Sequence, residues 1–214
     1  MKFKVLLNMQ EKDIYSELSS IRNIMERSTK FISLSGLSGI MAGIYAIAGA
    51  FAGYRIVYGS STDLDYRDHY VNESGVLWQL ILIAAAVLFL SVITGIWLTI
   101  RQSRKKGENS WNPVSKRLVV NLSIPLFTGG LFMIILLFHG QYNIIASTSL
   151  IFYGLSLISG SQYTLSDVKW LGICEIILGL TAALFPGYGI VFWVIGFGLL
   201  HILYGSVMHF KYNQ

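Results

Sequence analysis

An all-α membrane protein, built as a bundle of six transmembrane helices behind a cytoplasmic amphipathic helix, is the fold class this sequence predicts. Three observations predict it. Apolar stretches of about twenty residues recur along the chain, the length a helix needs to cross a hydrocarbon core of ~30 Å. Only 13% of the residues are charged, about half the share usual in a soluble domain, and the deficit is concentrated in those stretches. The loops between them alternate in charge, as a topology set by basic residues requires.

Taken in order, residues 11–30 predict the amphipathic helix. Ile14, Leu18, Ile21 and Met25 recur at helical spacing, with Asp13, Glu17, Arg22, Glu26 and Arg27 elsewhere around the wheel. Such a helix lies on the cytoplasmic face of the bilayer or docks a cytoplasmic protein partner. The apolar run preceding it, Val5 to Leu7, is shorter than the core of about 7–15 residues in a signal peptide. The amino-terminal stretch is therefore expected in the mature chain.

The bundle occupies 31–214, with spans expected at about 31–54, 76–100, 118–138, 143–160, 168–186 and 189–210. Span one carries Gly36, Gly39, Gly43, Gly49 and Gly53, which permit close backbone approach within the bundle and also allow a homo-oligomer. Span three contains Pro125 beside Thr128, Gly129 and Gly130, a place for a kink. Span four is rich in hydroxyls, Ser147, Thr148, Ser149, Ser156 and Ser159, which either bond neighbouring backbone or line a hydrated path. Span five is the shortest, and Pro186-Gly187 turns it into span six.

Fourteen of the sixteen Lys and Arg residues fall on one side of this arrangement, six of them in 1–30 and six in 101–117. Basic loops stay in the cytoplasm, so both termini are expected inside an inner membrane. The net charge of +5 then has a topological cause, and no nucleic-acid partner is expected. The 101–106 run instead suits anionic lipid. Trp78, Trp97, Trp170 and Trp193 fall at expected span ends, where aromatic belts form.

Two motifs suggest hairpin repeats. Leu137-Phe138-His139-Gly140 parallels Leu184-Phe185-Pro186-Gly187, 47 residues on, and Ile158-Ser159-Gly160-Ser161 parallels Leu203-Tyr204-Gly205-Ser206, 45 residues on. The stretch Leu171-Gly172, Glu175-Ile176-Ile177-Leu178-Gly179, Leu184-Phe185-Pro186-Gly187, Gly196, Gly198-Leu199 and Gly205 resembles the hairpin repeat of HdeD-like six-helix bacterial membrane proteins. The chain as a whole, with Met25-Glu26-Arg27-Ser28 behind a short amphipathic helix, resembles an uncharacterised family of bacterial six-helix inner-membrane proteins. These resemblances imply the six-helix fold and transfer no catalytic residue.

Glu175 is the one formally charged residue well inside an expected span. Charge at mid-bilayer costs about 2.5–3.5 kcal/mol on insertion scales, so such groups face protein or water and are functional candidates. Glu175 lies about 8 Å inside the boundary marked by Trp170, and His201 about 13 Å inside the boundary marked by Phe210. Tyr204 is one turn from His201. Glu175, His201 and Tyr204 are therefore expected to form an intramembrane polar cluster, structural or proton-binding. In the acidic outer loop, Asp63, Asp65, Asp68 and His69 have the ligand types for a divalent cation. They lack the glycine and length of a calcium loop, so the loop is read as solvated and no metal or cofactor is expected.

No nucleophile elbow, phosphate-binding glycine loop or cysteine metal motif occurs in the sequence. Cys174 is the one cysteine and reads as a small packing residue. The sequence thus points to a non-enzymatic inner-membrane protein with a structural or regulatory role. A small transporter or channel, proton-coupled through Glu175 and His201, is the alternative, and a membrane enzyme ranks third.

Overall fold

Apolar sequence continues through the expected spans, and side-chain capping sets where one of the helices begins. The computed structural model describes residues 30–31, 34–59, 74–107 and 109–212. The amphipathic segment 11–29 and the acidic loop with Asp63, Asp65, Asp68 and His69 lie outside the described residues. Among the described residues there are six long helices and no strand.

Helix α1 (Gly36–Tyr58) starts five residues later than the sequence predicts, because extended Ser35 precedes it and Phe31 is engaged elsewhere. Helix α2 (Ser74–Lys105) runs past the apolar stretch through Arg101, Arg104 and Lys105, whose positive charge suits a helix C-terminus. Helix α3 (Pro113–Phe138) starts five residues earlier than expected. The Asn112 side chain accepts from the Ser115 backbone, Ser115 Oγ accepts from the Asn112 backbone, and Pro113 takes the first helical position. The residues Asn112-Pro113-Val114-Ser115 carry this start in the sequence. α3 continues as one helix through Pro125.

Helix α4 (Ile145–Gly160) is entered and left through single 3₁₀ turns at Tyr142–Ile144 and Ser161–Tyr163. Helix α5 covers Asp167–Leu184. Gly187, with φ of 98°, then supplies a left-handed turn that other residues resist. The last helix, α6, joins Gly189–Trp193, a π-helical segment Val194–Leu200 and His201–Tyr212.

Glycines set the packing. α1 runs antiparallel to α6: a Cβ on Gly36 would stand 2.6 Å from the Gly205 carbonyl oxygen, and one on Gly43 equally close to that of Gly198. α4 and α5 interlock likewise, through Gly154 against the Gly172 carbonyl and Gly179 against Ser147 and Ile151. α3 seats Gly129 on Phe152 of α4, and α2 lies along α1 with Val87 over Gly49. Ser147 Oγ donates to the Gly179 carbonyl and Ser156 Oγ to that of Leu122, both at 2.7 Å, whereas Ser149 bonds within its own helix. Two hydroxyls of α4 thus join it to neighbouring helices.

The suggested hairpins do not pack alike. α3 lies directly on α4, but α5 presses its glycines on α4 and meets α6 near Gly196.

Five helices are long and apolar enough to cross a membrane. They are α1, α2, α3, α4 with its flanking turns, and α6. The sixth, α5, has 18 residues, and its charged Asp167, Lys169 and Glu175 separate it from the rest. This is the helix set of a multi-pass membrane protein.

Candidate functional site

Glu175 reaches the junction of α4, α5 and the π-helical part of α6 and is 0% exposed. Its room is made by Gly196, where a Cβ would come within 2.6 Å of Glu175 Oε2 and 2.5 Å of Leu150 Cδ2. Neither carboxyl oxygen takes a hydrogen bond. His201 Nδ1 lies 3.5 Å from Oε1, at the edge of hydrogen-bonding range, and its proton is aimed elsewhere.

The geometry fixes the tautomer. His201 Nδ1 stands 3.0 Å from the Gly196 carbonyl oxygen, which can only accept, so Nδ1 carries a proton. In a neutral ring Nε2 then accepts, and the Tyr153 hydroxyl donates to it at 2.7 Å. The π-helical geometry widens the turn before His201, and the imidazole takes up the Gly196 carbonyl in that turn. Ring contacts brace the arrangement: Phe197 lies 5.1 Å from Tyr153 and 5.3 Å from Trp193, centroid to centroid. Trp193, expected in an interfacial belt, is part-buried in this aromatic group, while Trp78, Trp97 and Trp170 are exposed.

The structure therefore places Glu175 beside His201. The tyrosine bonded to His201 is Tyr153 from α4, which sequence reasoning missed. Tyr204 has a buried hydroxyl without a partner and packs on the apolar cluster of Leu157, Leu165, Val168, Leu171 and Met208, as do Tyr153 and Tyr212. Nothing in the sequence separated Tyr153 from the other tyrosines. Its position on α4 opposite His201 depends on parallel α4–α6 packing, which adjacency in sequence does not specify.

A second polar group closes the end of the bundle where α5 begins and α6 ends. Lys211 Nζ donates to both Asp167 oxygens at 3.1 and 2.9 Å, and the Tyr212 hydroxyl donates to Oδ2 at 2.8 Å. Asp167 stands at the helix terminus, outside the apolar stretch. Partial burial pushes its carboxyl up, but the hydrogen bonds from Lys211 and Tyr212, with the Lys211 charge, outweigh this and hold it below its ordinary value. At the same end Phe31 is clamped: its N–H donates to the Tyr163 carbonyl, and its own carbonyl accepts from Thr164 Oγ1, both at 2.7 Å.

Chemically, the core cluster offers an unbonded carboxyl next to an imidazole–phenol pair, groups that exchange protons. Among the described residues no three His, Cys, Asp or Glu side chains converge as a metal site. Cys174 is exposed on the outside of α5. Fold and site together define an all-helical, multi-pass membrane protein with an ionisable cluster in its helical interior. Compared with protein-family models, curated proteins and solved structures, the chain matches none.

Proposed function

We propose that this chain is a bacterial inner-membrane protein with six crossing helices, α5 included, and both termini in the cytoplasm. It acts without catalysis, as a regulatory element that responds to protons. The observation that carries this reading is the buried Glu175 carboxyl with neither oxygen hydrogen-bonded. An ionised carboxylate in that position lacks the partners that offset desolvation, so gain or loss of a proton shifts the balance between α5 and the π-helical turn of α6. The Phe31 clamp supports a regulatory output. It ties the chain leading from residues 1–30 to the α4–α5 connection, a few residues before the helix that carries Glu175. Segment 11–30 then presents that state to the lipid surface or to a cytoplasmic protein.

A spin label at Ser28 in proteoliposomes tests this. Its mobility is expected to change with pH in the wild type and to be independent of pH in Glu175→Gln. The same pH response in both proteins removes the proposal. Topology is checked with an impermeant thiol reagent on Ser61→Cys and Lys105→Cys in a Cys174→Ala background, where opposite accessibility is expected. Lys105 is the suitable inner position because neighbouring Ser103 is buried.

The π-helical segment favours a second reading, a small proton-coupled transporter, since irregular helix turns recur at functional and substrate sites. Collapse of an imposed pH gradient by wild-type proteoliposomes, and not by Glu175→Gln, distinguishes it.

A further inference from the structure

We propose that the protein parts along one internal seam, with α1, α2 and α6 on one side and α3, α4 and α5 on the other. A polar latch at the Asp167 end of the bundle holds that seam shut. The division does not depend on what Glu175 binds. It is visible in the kinds of contact that join the helices. Within each half, helices meet through their backbones. A Cβ on Gly205 of α6 would stand 2.6 Å from both the Gly36 carbonyl oxygen and the Ile40 nitrogen of α1. The hydroxyls of Tyr45 on α1 and Thr94 on α2 are bonded at 3.3 Å. In the other half Gly154 and Gly172 interlock α4 with α5, and Gly160 of α4 meets Leu122 of α3. Ser147 and Ser156 bond α4 to the backbones of α5 and α3. Interlocked backbones resist sliding, because neither side can yield.

Across the seam the join is of another kind, and it is uneven. Near Gly187 it is close: a Cβ on Gly189 would lie 3.0 Å from Ala146 Cβ, and one on Gly196 2.5 Å from Leu150 Cδ2. Past Gly196, α6 keeps its backbone on α1, and Gly198 and Gly205 face α1 rather than α4 or α5. Large side chains fill the gap that this leaves, Tyr153, Tyr204, Met208 and Tyr212 packing with Leu157, Leu165, Val168 and Leu171. Side-chain layers can repack as two rigid halves move, whereas interlocked backbones cannot.

The latch bridges the wide end. Lys211 and Tyr212 of α6 bond Asp167 of α5, and Phe31, just before α1, is bonded to Tyr163 and Thr164 in the α4–α5 connection. The Lys211 side chain is 53% exposed, and an exposed ion pair adds little stability. The latch can therefore release without disturbing either half. Glu175 and Tyr204, whose side-chain oxygens have no hydrogen-bond partner, both lie on the seam. Parting at the Asp167 end, with the Gly189 and Gly196 contacts kept, brings both groups toward water from one face of the membrane only and relieves their unmet burial.

The test uses full-length protein in phosphatidylcholine–phosphatidylglycerol vesicles, in a Cys174→Ala background. Spin labels on Leu37→Cys and Lys169→Cys, both exposed, measure the distance across the seam. Labels on Lys116→Cys and Lys169→Cys measure a distance within one half and report that the fold is intact. The latch is released by Thr164→Val with Asp167→Asn, and by Lys211→Gln alone if that pair does not fold. Release is expected to add a longer population to the first distance and leave the second unchanged. A water-soluble maleimide should then label Met208→Cys, buried in the seam, about fivefold faster. Leu118→Cys, buried against Gly160 within one half, should label at its unreleased rate. An unchanged cross-seam distance, with Met208→Cys no faster, overturns the seam. So does lengthening of both distances together, which marks a loosened fold. The experiment runs at one pH with Glu175 intact, so its failure leaves the proton-binding reading standing.

Discussion

Helices α2 and α5 make opposite use of the membrane. α2 has 32 residues, and no residue of its most apolar stretch is buried by protein. It lies against α1 and exposes Leu82, Leu88, Phe89 and Ile96. α5 is shorter and more polar, yet it interlocks with α4 through Gly172 and Gly179 and holds the fully buried Glu175. The most apolar helix is thus the peripheral one. Lipid chains are as apolar as leucine, so hydropathy reports contact with lipid, and close packing is driven by small side chains and hydrogen bonds. An ionisable group survives in the membrane only where such packing shelters it.

The sharpest way to break this contrast is a matched pair of glycine substitutions. Gly172→Leu forces a side chain toward the Gly154 carbonyl, from which a Cβ would stand only 2.7 Å. Backbone cannot yield as a side-chain tip can, so a loss of about 3 kcal/mol is expected. Gly95→Leu on α2 enters open space and should change stability by no more than about 0.5 kcal/mol. Thermal unfolding in detergent, followed by circular dichroism, measures both; equal losses would abolish the distinction between the helices.

Next in size is a gain. Glu175→Met replaces a buried carboxyl lacking hydrogen bonds with an apolar chain of similar length, which should raise stability by about 1–2 kcal/mol. It should also erase the proton response, as expected where function is kept at the expense of stability. A loss of stability on the same assay would mean that Glu175 is satisfied in the folded protein and structural.

A smaller effect separates the two kinds of hydroxyl. Ser156→Ala removes a bond from α4 to the Leu122 carbonyl and should cost about 0.6 kcal/mol. Ser123→Ala removes only a bond within its own helix and should cost less on the same unfolding curves.

The smallest effect lies outside the apolar region. Asp167 is held below its ordinary value by Lys211 and Tyr212, so its contribution is present above the unfolded-state value near pH ~4. It is lost as pH falls through the lower folded-state value. Asp167→Asn should flatten that acid limb of the stability profile and leave neutral pH little changed. An identical acid limb in the variant would show that the pair is decorative.

The two polar clusters were not equally legible. Glu175 announced itself as a charge among apolar residues, and its depth suggested His201. Tyr153 gave no such signal, since a tyrosine in a membrane helix is unremarkable without knowledge of what it faces. Tyr204 had the right helical spacing to His201, but its hydroxyl does not bond to the imidazole. The Phe31 clamp joins residues far apart in sequence through the Phe31 backbone, which accepts from the Thr164 side chain and donates to the Tyr163 carbonyl, and the pattern of side chains does not encode that pairing. The early start of α3 is written in Asn112-Pro113-Val114-Ser115, a capping sequence that lies before the apolar run beginning at Leu118.

Composition and order alone determined that this chain is helical and suited to lipid, because backbone polar groups in hydrocarbon must be satisfied within each helix. They also determined which residue would be expensive to bury. Tertiary structure decided the partners: which glycine faces which backbone, which tyrosine meets the imidazole, and that the helix carrying the buried carboxyl is among the most closely held. Those outcomes depend on contact between segments remote in the chain, where shape complementarity at short range selects the arrangement.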